Sequence, residues 1–122
     1  MEEALIAFIL ADTGVQAAVG NRVYWVQRPQ ASEVPAIVLT RISGDRDYHT
    51  QGPSGLVSSR VQADVYGKTY AAAKTAGRAL IARLSGHKGG MFQGAFVDGE
   101  RDSYEGDQAL HRVSIDFLLS HT

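Results

Sequence analysis

A chain of 122 residues, 44% hydrophobic and 20% charged, has the size and composition of one globular domain, residues 1–122, with no room for a second. Its net charge of −1, without any block of like charge, argues against a protein that grips nucleic acid through phosphates, because that takes a basic face. Without cysteine there is no disulfide, no thiolate metal site and no cysteine nucleophile.

The spacing of Leu5, Phe8 and Ile9 predicts a helix over 2–11, with Glu2 and Glu3 at the favourable end of its dipole. The apolar run 4–11 is too short to span a membrane and lacks the basic start of a signal peptide. The expectation is a protein made and folded in the cytoplasm, with no membrane partner. Asp12 or Thr13 caps a second helical turn carrying Val15 and Val19, which Gly20 ends; the alternative is one helix bent at Gly14. Residues 23–30 are extended and end in Arg28-Pro29-Gln30. Pro35 opens a β-rich run over 36–43, with Ile37 and Leu39 on one face and Val38 and Ile42 on the other.

The stretch 44–55 is polar, rich in turn formers and centred on Gly52-Pro53, and reads as a long loop between strands. Residues 56–66 alternate: Val61, Ala63 and Val65 face one way, Arg60, Gln62 and Asp64 the other. Gly67 ends that strand. A strong helix follows over 68–84, with Ala73, Gly77, Leu80, Ile81 and Leu84 as its buried stripe. Gly86, Gly89 and Gly90 break the chain. A strand region over 92–104 is expected to kink near Asp98-Gly99. The last strand, 110–119, turns Val113, Ile115, Phe117 and Leu119 to the core and Arg112, Ser114 and Asp116 outward. The order α-β-β-α-β-β predicts an α+β two-layer sandwich: a mostly antiparallel four-stranded sheet with one long helix on one face, plus an N-terminal helix.

Two strands share a charge pattern, Arg60-Val61-Gln62-Ala63-Asp64 and Arg112-Val113-Ser114-Ile115-Asp116. Antiparallel pairing with Gln62 opposite Ser114 sets Arg60 against Asp116 and Asp64 against Arg112, whereas parallel pairing sets Arg against Arg. A right-handed crossover through the long helix keeps the two strands adjacent, in the order 1-2-4-3. The resulting outer face is polar, and no second long helix is available to cover it. It is either solvated or covered by a neighbouring subunit.

Enzyme signatures are missing. There is no GxSxG elbow and no GxGxxG after a strand, and Gly86-His87-Lys88-Gly89-Gly90 lacks the spacing of a phosphate-binding loop. His49, His87, His111 and His121 include no pair at metal-ligand spacing, so neither a metal nor a cofactor is expected. Asp98, Glu100, Asp102 and Glu105 read as a solvated hairpin interleaved with Arg101 rather than an acid–base pair, and Asp45 and Asp47 around Arg46 read likewise. Tyr24, Trp25, Tyr48, Tyr66, Tyr70 and Tyr104 share no strand face and have no basic groove, so they do not form a stacking platform. Tyr66 and Tyr70 are expected to wedge the helix onto the sheet, and Trp25 is a candidate subunit anchor.

Several segments carry a family likeness. They are the Glu3-Ala4-Leu5 helix with Val19-Gly20-Asn21-Arg22-Val23-Tyr24, then Arg28-Pro29-Gln30, Val34-Pro35-Ala36-Ile37-Val38 and Arg41-Ile42-Ser43-Gly44. Most specific is Arg60-Val61-Gln62-Ala63-Asp64-Val65-Tyr66-Gly67, leading through Tyr70 into the helix ending at Leu84. The last are Ser103-Tyr104-Glu105 and Leu110-His111-Arg112-Val113-Ser114-Ile115-Asp116-Phe117. In this order and spacing the chain resembles the small bacteriophage tail-completion proteins, which are similar to tail terminators. The resemblance implies a structural virion protein, made in a bacterial host's cytoplasm and located in the tail or neck. It implies a homo-oligomer, a hexameric ring in the virion that can be monomeric in solution. The ring stops growth of the tube built from the major tail tube protein and presents a surface to the head–tail connector, and DNA passes through its hole. The family has no catalytic residue to carry over, and segments 45–55 and 86–94 carry none of the matching pattern.

A ring needs two different patches on each subunit. The expected subunit or tail interface is the outward face around Arg60, Gln62, Asp64, Arg112, Ser114 and Asp116, together with Arg46, Asp47 and His49 of the stretch 44–55, a candidate for ordering on contact. Two alternatives remain: another neck component, a stopper or adaptor, and a small-ligand-binding α+β domain, which needs a deep pocket.

Overall fold

A computed structural model describes residues 2–27, 34–49, 52–87, 92–106 and 109–121, with side chains at all of these except 45–49, 52–56 and 93. The helices start where the sequence supplies caps. α1 covers Glu2–Leu10. Asp12 accepts a hydrogen bond from the Val15 amide at 2.9 Å and opens α2, Thr13–Val19. Thr69 accepts from the Ala72 amide at 3.1 Å and opens α3, Tyr70–Leu84. Each cap satisfies an amide that has no partner within its helix.

The sheet is mixed and has five strands: β1 Val23–Trp25, β2 Ala36–His49, β3 Gly52–Gly67, β4 Phe92–Glu105 and β5 Leu110–His121, in the order β1-β2-β3-β5-β4. The four long strands are antiparallel neighbours in the expected order 1-2-4-3. The expected count of four is corrected by β1, a three-residue edge strand parallel to β2 that is too short to show any alternation. Val26, at φ 67°, turns the chain out of β1.

The expected loop over 44–55 is a second correction. β2 runs on to His49 and β3 begins at Gly52, with Asp45 opposite Ser58, Arg46 opposite Val57 and Tyr48 opposite Pro53. A polar, glycine-bearing sequence carries no apolar period from which a strand could be read. The expected kink in β4 is present as a register shift between Val97 and Gly99.

One core joins the layers. Leu5 and Ile9 of α1, Val15 and Val19 of α2, and Ala73, Ala76, Leu80 and Leu84 of α3 pack on Ile37, Leu39, Val61, Ala63, Val65, Val113, Ile115, Phe117 and Leu119 of the sheet. The long helix therefore shares its face with two short ones. Ile81 of the predicted stripe is only half-buried. α1 is tied down by an Arg41–Glu2 ion pair of 2.7 Å and by the Trp25 indole donating to the Glu2 carbonyl at 3.2 Å. Trp25 is half-buried and makes this bond at the surface of the subunit. Around Phe8, the Arg83 guanidinium lies 3.7 Å and the His87 ring 4.0 Å from the ring centre.

Candidate functional site

Strand alternation turns Arg60, Gln62 and Asp64 of β3 and Arg112, Ser114 and Asp116 of β5 onto the sheet face opposite the helices. The two strands are antiparallel neighbours as expected, but the register lies two residues away: Gln62 faces Asp116, Asp64 faces Ser114, Arg60 faces Leu118 and Tyr66 faces Arg112. A two-residue shift keeps every side chain on its face. The expected matching considered two strands, whereas the charges are shared among three.

Arg60 reaches Asp98 of β4 at 2.7 Å and Asp116 at 3.8 Å. Arg101 of β4 binds Asp116 at 2.9 Å. Arg112 binds Glu105 at 2.9 Å and donates to Ser103 at 3.1 Å. Asp64, 8% exposed, accepts from Ser114 at 2.6 Å and Gln62 at 2.9 Å. The third row of this face, Asp98, Arg101, Ser103 and Glu105 of β4, is hidden in the sequence by its acidic look. The alternation of 101, 103 and 105 was the signal for it.

The remaining carboxylates of that group, Glu100 and Asp102, turn the other way and hold Lys74 of α3 at 3.1 and 3.0 Å. Tyr70 also donates to Asp102 at 2.9 Å. Hydrogen bonds from Lys74 and then Tyr70 hold the Asp102 carboxyl below its ordinary value, and hydrogen bonds to Asp102 and then Glu100 raise Lys74. Tyr70 therefore fastens the helix to β4, while Tyr66 stands in register with Arg112 on the outer face and does not wedge the helix.

Arg46, Asp47 and His49 lie in β2 where the hairpin leaves the body of the sheet: Arg46 faces Val57, the last β3 residue paired with β5. Their side chains lie outside the described residues, as do Arg28-Pro29-Gln30 and Lys88-Gly89-Gly90. His121 is buried in β5 with Nε2 2.9 Å from the Ser59 hydroxyl and its ring beside Phe92. His111 packs edge-on to Tyr104 and Tyr70. Among the described residues no cluster of three His, Asp or Glu is placed to hold a metal, and no helix is long and apolar enough to cross a membrane. A shallow cleft of about 360 Å³ on the outer face, lined by Ser43, Ser58, Arg60, Phe96, Leu118 and Ser120, mixes hydroxyls with two exposed apolar side chains.

Residues 3–121 match the family described as tail completion protein gp17. Among solved structures, the chain is similar to one from the virion of a native gene transfer agent particle. The match has 18% identity and a TM-score of 0.70, and covers 95% of this chain and 90% of that one. At that identity the likeness is one of fold. No curated protein matches the chain.

Proposed function

The chain belongs to the tail completion protein gp17 family, structural proteins of the bacteriophage tail, and from that premise we propose that it closes the tail tube as a ring. The ring stops tube elongation and offers the surface on which the head is joined. The protein catalyses nothing in this role. Its partners are further copies of itself, six to a ring, the major tail tube protein below and a head–tail connector above.

The observation that carries this reading is the outer sheet face. Three long strands place a layer of charges there that are paired with one another, and no described helix covers them. Such a face is stable in water and can still be covered without stranding a charge. We assign the subunit or tail contacts to Arg60, Gln62, Asp64, Arg112, Ser114 and Asp116, joined by Arg46, Asp47 and His49 on the hairpin. That the similar solved chain sits in a virion supports the same role.

Mixing the purified protein with its tail tube protein, followed by electron microscopy, tests the proposal. Tubes of limited length with a ring at one end are expected. Tubes that grow unchecked with nothing bound would overturn the capping role and move the protein to the head side of the neck.

A further inference from the structure

The sheet order leaves two edges without a neighbouring strand among the described residues. On one side, β1 pairs only with Ile37, Val38 and Leu39, so β2 is open from Thr40 onward. On the other side, no strand pairs with β4, and the Gly86 amide donates to the Ala95 carbonyl at 2.8 Å. An open row of backbone N–H and C=O groups is a template for another strand, and folds guard such rows with charge or cover.

Each edge is guarded at one level of the sheet, β2 by β1 and β4 by charge; toward the hairpin β2 loses that cover but carries Arg41, Asp45 and Arg46. In register across the strands, Leu39 lines up with Ala63, Ile115 and Glu100, and Ile37 with Val65, Val113 and Asp102. The part of β2 covered by β1 is therefore level with the charged part of β4. Toward the hairpin, Arg41 lines up with Val61, Phe117 and Val97, and Arg46 with Val57, His121 and Phe92. The open part of β2 is level with residues 92–97 of β4, which carry no charge. Each open part also exposes one large apolar side chain, Ile42 at 52% on β2 and Phe96 at 58% on β4.

Strand direction agrees. β2, β3, β5 and β4 alternate, so the two open strands run antiparallel to each other. A copy rotated about an axis near the strand direction brings its β2 beside its neighbour's β4 in antiparallel orientation, without inverting the molecule.

We infer that residues 40–46 of β2 in one copy pair with residues 92–97 of β4 in the next, so that the copies share one continuous antiparallel sheet. This rests on the ring reading above and adds the surfaces that join copy to copy. Ile42 and Phe96 meet across the seam. β1 and the charged half of β4 end the pairing, and the outer face stays free for the tube, the neck or the hole of the ring.

The absence of native cysteine makes introduced thiols specific reporters. Ser43→Cys is combined in turn with Gly94→Cys, Phe96→Cys and Asp98→Cys, so that no single register is assumed, and each change is also made alone. The proteins are bound to tail tubes and oxidised. At least one pair is expected to give a covalent ladder reaching the full ring, and no single change should do so. A second variant, Ile42→Lys with Phe96→Lys, changes only exposed side chains; it is expected to keep the monomer's melting temperature and to lose the rings. Rings without a ladder from any pair, or rings that survive the double lysine, overturn the edge pairing and leave the ring reading intact. Wild-type protein that never forms a ring on tubes overturns both.

Discussion

Leu118 and Leu119 are neighbours in β5 and differ in everything that governs a truncation. Leu119 is 1% exposed and belongs to the core, while Leu118 is 38% exposed beside the outer cleft. Leu119→Ala is expected to cost about 2–5 kcal/mol in urea unfolding, from lost burial plus a residual cavity, and Leu118→Ala about 0.5 kcal/mol or less. Similar losses at both positions would mean that the outer face is covered. Asp102 supplies a test in acid. Its carboxyl is held below the ordinary value of 3.8 by Lys74 and Tyr70, so the unfolded chain takes up the proton first as pH falls. Its contribution to stability is present above that value and lost as the pH drops through the folded one. Melting temperature should therefore fall less steeply below pH 4 in Asp102→Asn than in the natural chain, and parallel slopes would refute the assignment.

At the scale of elements, two glycines near α3 behave oppositely. A Cβ on Gly67 would stand 2.8 Å from the Ala73 amide nitrogen, where β3 turns into the helix, so Gly67→Ala is expected to destabilise by about 1–3 kcal/mol. A Cβ on Gly77 would meet Ile115 at 3.5 Å, an ordinary contact, and alanine is the better helix former. Gly77→Ala should raise stability by up to about 1 kcal/mol, read in the same unfolding assay. The sequence reveals α3, β3 and β5 plainly because each buries one face and leaves the other wet, which writes period 3.6 or period 2 into the residues. It conceals the outer half of the β2–β3 hairpin, whose sequence is polar and carries no apolar period, and β1, which has three residues. The six face residues on β3 and β5 are legible by alternation. Their partners are not, because Arg60 and Arg112 find Asp98 and Glu105 on a third strand that only the fold brings alongside.

For the whole molecule, a net charge of −1 spread without a basic face predicts no useful grip on DNA. Duplex DNA should not be shifted in a gel by micromolar protein at about 0.15 M salt, where nonspecific binders act at roughly 10⁻⁴–10⁻⁶ M. A retarded band that disappears in higher salt would reveal a cationic surface that the described residues do not show. The outer face gives this a further meaning. Its guanidiniums at Arg60, Arg101 and Arg112 each lie within 3 Å of a carboxylate on Asp98, Asp116 or Glu105. Opposite charges that close together cancel as monopoles, and what is left is a mosaic of short dipoles whose field dies away over a few ångströms. A partner approaching such a wall feels no long-range pull or push, and only one whose own groups fit the mosaic at contact distance can read it.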